Sequence, residues 1–365
     1  MGTLTIDCRV LGMSGIGVYL EHILPFVLQA MPQTHFRLIG NENALARLLP
    51  DIGDSVRIIP CSAPLYSLSE QYTLPRLLLG SDAFWTPHYV IPLLTRIPMA
   101  VTIHDVAHLA LPEFSGLKRL YARLMFRRIC HSAKVIMTVS DFSARELQKY
   151  CGKPSAPVTV TASGVGLEWF TDTQEEMPAA FPYAIVVGNV KSHKNIEGAC
   201  RAWRLIQTKT DLHLVILGRK EGFIGGKLDA DALAGYAPGR IHFLGKKTDA
   251  AVRSWVQHAR LLLFPSLYEG FGLPPLEAMA KGVPVVASAI PPVREVVGDA
   301  AIFVDPLREE DIARGILSCL EMDEPTRDAL INQGRARARL FSWERTANIT
   351  IAALRPFVRE YAGTS

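Results

Sequence analysis

Short apolar runs, each followed by a longer amphipathic stretch, recur from one end of this chain to the other. That alternation predicts parallel strands covered by helices, because parallel neighbours need a crossover and the crossovers bury both sheet faces. In the first half the candidate strands are Leu4–Cys8, Phe36–Ile39, Val56–Ile59, Ala83–Trp85, Met99–Ile103, Val135–Thr138 and Val158–Thr161, with helices over Gly17–Ala30 and Lys118–Ser132. The polar, proline-bearing stretch 171–182 has no apolar period and predicts an interdomain linker. A second series follows: Tyr183–Val187, a helix near Ile196–Thr208, His213–Leu217, Ile241–Leu244, Leu261–Phe264, Val283–Ala287 and an edge strand Ala301–Val304. Beyond Asp305 the pattern turns helical, and Trp343–Tyr361 predicts a closing helix. A chain of 365 residues exceeds what one core usually serves. The expectation is therefore an α/β protein with domains at 1–175 and 176–342, followed by a terminal helix at 343–365.

Charge and cysteine usage exclude several classes. With 49% apolar and 20% charged residues the chain is expected to be a well-buried globular protein rather than a disordered one. A net charge of +4 makes no case for nucleic acid. The six cysteines are scattered, without metal-type spacing, and predict reduced thiols in a cytoplasmic setting. The amino terminus has no secretory pattern and no run is long and apolar enough to span a bilayer, so membrane contact would be peripheral.

Residues 266–288, SLYEGFGLPPLEAMAKGVPVVAS, carry the strongest chemical signal. Glu269 precedes the Gly270-Phe271-Gly272 turn, where missing side chains let backbone amides approach a ligand. Pro274 and Pro275 suit a first helical turn, which places Glu277 within that turn. A helix start favours an anion. Carboxylates beside it are costly against phosphate, so Glu269 and Glu277 are expected to face neutral hydroxyls. That combination predicts a sugar-nucleotide site. Further along, GNVKSHKN (188–195) puts Lys191 and Lys194 between a strand and a helix, where open parallel sheets bind ligands. Arg219 and Lys220 end another strand, and His104-Asp105 end the strand Met99–Ile103. The loop Ser14-Gly15-Ile16-Gly17 leads into a helix bearing Tyr19, while Ser140–Ser143 predicts a helix cap. Lys118–Lys134 holds six cations and no acid, with Leu117, Leu120, Tyr121, Leu124 and Met125 at roughly helical spacing, the pattern of an amphipathic basic helix.

The run around Glu269 and Glu277 resembles the E-x7-E signature of family 4 retaining glycosyltransferases, and the likeness extends over most of the chain. It implies the GT-B architecture: two Rossmann-like domains with parallel sheets facing a central cleft, the first binding acceptor and the second donor, with the terminal helix returning to the first. It implies sugar transfer without metal or other cofactor. By matching position, Glu269 holds hydroxyls of the transferred sugar and Glu277 those of the ribose, while the segment Phe271, Gly272, Leu273 and Leu276 lines the diphosphate and sugar. Lys191, Lys194 and Arg219 meet the diphosphate, Leu244 the base, and Gly15 and Gly17 the donor phosphates. Ile16, Tyr19 and Asp105 face the acceptor. His104 lies beside the transferred sugar, making it, with Glu269 and Lys194, the expected catalytic set. Two departures stand out: His193 replaces the usual arginine beside Lys194, and Val18 the usual arginine before the tyrosine.

The D-x-R start, the S-G-I-G loop and the V-G-N-V-K-x-H-K-N loop are most similar to bacterial mannosyltransferases of surface-polysaccharide assembly. GDP-mannose is then the expected donor and a saccharide on polyprenyl diphosphate the expected acceptor. Lys118, Arg119, Arg123, Arg127 and Arg128 are expected at an anionic membrane surface on the cytoplasmic side. UDP-glucose, UDP-N-acetylglucosamine or dTDP-rhamnose remain alternative donors. An epimerase or hydrolase on the same fold, and a non-catalytic sugar-binding subunit, are alternative roles. An NAD-dependent oxidoreductase is disfavoured because Gly15-Ile16-Gly17 lacks the third glycine and a following acidic ribose partner.

Overall fold

The computed structural model describes residues 2–13, 15–114, 116–173, 177–219 and 230–362. Ser14, Lys220 and part of the stretch 171–182 (174–176) lie outside the described residues. The chain divides into two units, one formed by Met1–Gly164 with Ser342–Ser365 and the other by Val165–Phe341.

In the first unit the strands are β1 (Thr3–Asp7), β2 (His35–Gly40), β3 (Val56–Pro60), β4 (Ala83–Thr86), β5 (Met99–Ile103), β6 (Val135–Thr138) and β7 (Val158–Val160). They form one parallel sheet in the order β3-β2-β1-β4-β5-β6-β7. In the second unit β8 (Tyr183–Val187), β9 (His213–Leu217), β10 (Ile241–Gly245), β11 (Leu261–Phe264), β12 (Val285–Ser288) and β13 (Ile302–Val304) form a parallel sheet in the order β10-β9-β8-β11-β12-β13. In each sheet the order reverses beside the first strand, so the carboxyl ends of β1 and β4, and of β8 and β11, border the crevice where such sheets take ligands.

The apolar runs become strands because both their faces are covered. Met99–Ile103 and Leu261–Phe264 are buried along their whole length. In the first unit the helix Gly116–Ser132 packs Ala122, Met125, Phe126 and Ile129 into a core with Phe84 and Val101. In the second, Trp203 on the helix Ile196–Ile206 enters a core with Leu214 and Leu263. The helix Trp343–Tyr361 buries Trp343, Ala347, Leu354 and Phe357 within the first unit.

Several boundaries differ from the sequence expectation for local reasons. The strand predicted from Val283 starts at Val285, because the Val283 amide donates to Ala278 O at the preceding helix end and Pro284 has no amide to give. The unit boundary falls at Gly164/Val165 rather than at 175/176. Residues 171–173 belong to the second unit: the Thr173 amide donates to Gln257 Oε1 (2.7 Å), and the Lys281 ammonium donates to Thr171 O. Polarity and proline content mark a surface segment here; hydrogen bonds decide which body owns it.

Candidate active site

In the second unit two loops carry most of the predicted donor residues, and three contacts pin them together. The Leu267 amide donates to His193 O (2.7 Å), Asn195 Nδ2 donates to Pro265 O (3.1 Å), and Lys194 Nζ pairs with Glu269 Oε1 (2.6 Å). Lys194 and Glu269, separated by 75 positions in sequence, are thus neighbours at the ends of β8 and β11. The sequence reading had them acting separately, one on diphosphate and one on sugar. Here the ammonium neutralises and orients the carboxylate with one of its three donors. Asn195 was not singled out, yet it adopts φ 53 and also donates Nδ2 to Pro306 O (2.7 Å). Its only sequence signal is a position just before a helix, where asparagine tolerates left-handed backbone.

Lys191 and Arg219 are exposed beside this pair of loops. Arg219 joins them through the backbone: its amide donates to Asn189 Oδ1 (3.3 Å) and its carbonyl accepts from the Val190 amide (3.1 Å). Close approach requires glycine here, since a Cβ on Gly218 would lie 1.9 Å from Gly188 O. A register shift between Phe243 and Gly245 leaves Leu244 out of step with β9, so its peptide is offered beyond the ladder.

The turn after β11 ends at Gly272, which takes φ 110 as cap of the helix Leu273–Ala280. Four amides lack intrahelical partners at a helix start. Two of those positions are Pro274 and Pro275, so the N–H groups left without an intrahelical partner are those of Gly272 and Leu273. Phe271 is buried edge-on against Phe341 (5.7 Å), and Leu276 is fully buried, so any contact these two make is through the backbone. Glu277 lies one turn later than expected, outside the first turn. It is half-buried, and desolvation, then the charges of Asp249 and Glu168, push its pKa up to about 8 against the opposing pull of Arg253. The carboxyl is therefore mostly protonated at neutral pH and can both donate to and accept from a hydroxyl. Ser266, at the end of β11, has a buried hydroxyl without a partner among the described residues. The sequence reading missed it.

In the first unit His104 ends β5. Its ring packs edge-on against Tyr19 (4.9 Å, 90°), and its carbonyl accepts from Ser143 Oγ (2.9 Å). Burial pushes the imidazole pKa down to about 4, so it is neutral at physiological pH. Its backbone hydrogen bond is with Pro87, and proline offers only a carbonyl, so the ring donates there. Nε2 is buried without a partner, which assigns the donating nitrogen as Nδ1 and leaves a lone pair on Nε2. That nitrogen can therefore act only as a hydrogen-bond acceptor. Asp105 caps the next turn, accepting from the Ala107 amide at Oδ1 (2.8 Å). Gly15, at φ 70, caps the helix Ile16–Ala30, and Ile16 is half-buried at its start.

One expected first-unit role changes, and one glycine gains a steric reason. Tyr19 is fully buried, its hydroxyl donating to Thr161 Oγ1 (3.2 Å) and paired with Thr350 Oγ1 (3.3 Å); it backs His104 and has no surface for an acceptor. Gly17 is buried where a Cβ would lie 2.6 Å from Val10 O, so its glycine serves the fold of the loop. The D-x-R start folds into a buried network. Arg9 donates to Asp7 (2.6 Å) and Glu70 (3.1 Å), while the Val90 amide occupies His88 Nδ1 (3.2 Å), so His88 Nε2 donates to Asp7 (3.0 Å). Burial pushes Asp7 up, but the bonds from His88 and Arg9 outweigh it and hold the carboxyl well below the ordinary range. Glu70 and His88 were not foreseen, being 61 and 81 positions from their partners.

The basic helix spans Gly116–Ser132, and its apolar residues divide between two faces. Met125 is buried, and Tyr121 is half-buried under Gln71 Nε2 (3.2 Å). Leu117, Leu120 and Leu124 stand 84%, 54% and 52% exposed. Of the cations, Lys118, Arg123 and Arg127 are exposed. Arg119 and Arg128 are half-buried, and Arg119 donates to Leu109 O (2.5 Å), which corrects their assignment to the outer face. The expected single stripe fails because the core takes the turn positions Ala122, Met125, Phe126 and Ile129.

A family model described as Glycosyl transferases group 1 matches residues 169–337, and one described as Glycosyltransferase Family 4 matches residues 42–169. The chain is 33% identical over 281 residues to the O-antigen chain mannosyltransferase B of Escherichia coli, covering 74% of this chain and 72% of that protein. It is 27% identical over 221 residues to the O-antigen chain mannosyltransferase RfbU of Salmonella typhimurium, covering 60% of each. The solved sucrose-phosphate synthase from Thermosynechococcus elongatus superposes with a TM-score of 0.77 at 19% identity, over 99% of this chain and 100% of that one.

Proposed function

This chain belongs to the family 4 glycosyltransferases and has their GT-B fold, and from that premise we propose that it transfers mannose from GDP-mannose, with retention, to a saccharide carried on polyprenyl diphosphate. The observation that carries the donor assignment is the Lys194–Glu269 pair beside the Gly272–Leu273 helix start, which puts a cation, a carboxylate and open amides at one sheet edge. The names of the two mannosyltransferase relatives support mannose as the sugar.

In this reading Lys191, Lys194, Arg219 and the amides of Gly272 and Leu273 hold the diphosphate. Leu244 offers its out-of-register peptide to the base, and Glu277, as a neutral acid, meets the ribose hydroxyls. Glu269 accepts from hydroxyls of the donor sugar, and His104 Nε2 accepts from a sugar hydroxyl. Gly15 and Ile16 contribute from the first-unit loop, and Asp105 faces the acceptor. The bond from the anomeric carbon to the diphosphate oxygen breaks and leaves an oxocarbenium-like sugar. The acceptor oxygen bonds to that carbon on the same face, and its proton passes to the departing phosphate. Lysine and amide groups aimed at the leaving oxygens act where negative charge grows, which is where binding energy becomes rate.

The acceptor's lipid requires access to a membrane. Among the described residues no helix is long and apolar enough to cross one. Contact is assigned to the outer face of Gly116–Ser132, where Leu117, Leu120 and Leu124 enter the interface and Lys118, Arg123 and Arg127 face anionic headgroups on the cytoplasmic side. Separate calorimetric titrations with GDP and UDP test the donor. GDP is expected to bind at least tenfold tighter, and a preference for UDP would reject GDP-mannose.

A further inference from the structure

A cluster of rings at the carboxyl edge of the first sheet has no role in the reading above. Tyr66 follows β3 with φ 63, one of two non-glycine residues with positive φ among the described residues, and is 41% exposed. Its ring lies near-parallel to His108 (6.0 Å, 29°) and tilted on Tyr89 (5.4 Å). Tyr89 in turn stacks on the core residue Phe126 (4.6 Å), and His108 meets Phe114 (4.2 Å). Left-handed backbone is strained for a bulky residue, and a glycine would adopt it without strain. Contacts with Tyr89 and His108 bury part of the ring, yet 41% of the residue stays exposed at a backbone position that favours glycine. The backbone thus holds a large ring against a stacked support while leaving the residue partly at the surface.

The electrostatics narrow what that face can meet. Desolvation, then the carboxylates of Asp105, Glu70 and Asp7, raise the pKa of the Tyr66 hydroxyl, so the ring stands in an acidic field. Arg9, the cation of this network, is already committed to Asp7 and Glu70. Such a field repels phosphate and favours neutral groups that donate hydrogen bonds. A sugar ring has both matching features: a C–H face that packs on an aromatic face, and hydroxyls that donate to a carboxylate. Asp105 adjoins His104, whose buried Nε2 has no hydrogen-bond partner among the described residues.

We propose that Tyr66, supported by Tyr89 and His108, is a stacking platform for a neutral sugar ring of the acceptor, with Asp105 accepting from its hydroxyls. This rests on the glycosyltransferase assignment and names the part of the first unit that recognises the saccharide. The test is saturation-transfer NMR on the full chain with methyl α-mannoside and mannose oligosaccharides of two to four residues, alongside GDP and UDP calorimetry. Tyr66→Gly removes the ring and suits the backbone, so its melting temperature should not fall. It should bind the oligosaccharides about tenfold more weakly, the scale of one aromatic contact, while Tyr66→Phe keeps wild-type affinity and both bind nucleotide as before. Equal oligosaccharide affinity in wild type and Tyr66→Gly would overturn the platform, as would GDP binding by a wild type that takes up no oligosaccharide. Oligosaccharide binding that depends on Tyr66 in a chain that binds neither nucleotide would support the platform and count against the donor reading.

Discussion

Glu277 shows how much of a residue's chemistry lies outside its sequence motif. Spacing places a carboxylate after a helix start; its protonation depends on desolvation first and then on Asp249 and Glu168, all of which only folding supplies. The folded pKa of about 8 exceeds the ordinary 4.5. Between those values the folded chain holds a proton that the unfolded chain has lost, so this residue makes stability fall as pH rises, by at most about 1.4 kcal/mol per unit. Below 4.5 both states are protonated and above 8 both are ionised, so the contribution is flat outside that window. Glu277→Gln should flatten the decline, read as the difference between variant and wild type in urea unfolding at pH 5, 6.5 and 8. Parallel curves would show that the carboxyl ionises at its ordinary value. His104 carries the same lesson: its place at a strand end was legible, and its tautomer follows only from Pro87.

At the scale of elements, strands were more legible than helix faces. A parallel strand buried on both sides must be apolar throughout, so Tyr183–Val187 and Leu261–Phe264 stand where their apolar runs placed them. A helix shows its core only through phase, and seventeen residues rich in leucine and arginine admit more than one. In Gly116–Ser132 the core selected Met125 and Ile129 and left Leu120 and Leu124 outside. Those exposed leucines give the membrane assignment its test. Leu120→Gln with Leu124→Gln should leave the fold unchanged, since both side chains are half exposed. It should weaken cosedimentation with vesicles containing anionic lipid at least tenfold, because a buried leucine contributes about 1.5–3 kcal/mol. Undiminished cosedimentation would move the contact elsewhere.

For the whole molecule the decisive fact is that residues 342–365 belong to the first unit although residues 165–341 form the second. The first core is completed only by the last segment of chain. Trp343, Leu354 and Phe357 are each at least nine-tenths buried there, and each contributes roughly 1.5–3 kcal/mol, together comparable with the stability of a typical domain. A chain ending at Phe341 should therefore lose amide-exchange protection across residues 2–164 and keep it in β8, β9 and β11. Retained protection in β1, β4 and β5 would show that the first core stands without the helix. The polar stretch near 171–182 suggested a border because loops and linkers share a composition; Gln257 and Lys281 made part of it second-unit surface.

The sequence by itself determined two α/β bodies with parallel sheets, the approximate places of their strands and the Glu269–Glu277 motif, since apolar runs, glycines and prolines act on nearby backbone. Tertiary structure alone decided that Lys194 grips Glu269, that Tyr19 supports His104 from the interior, and that Asp7, Arg9, Glu70 and His88 share one buried network. Charge and hydrogen-bond partners are set by distance in space. Crossover connections separate those partners by tens of residues, where no local pattern records them.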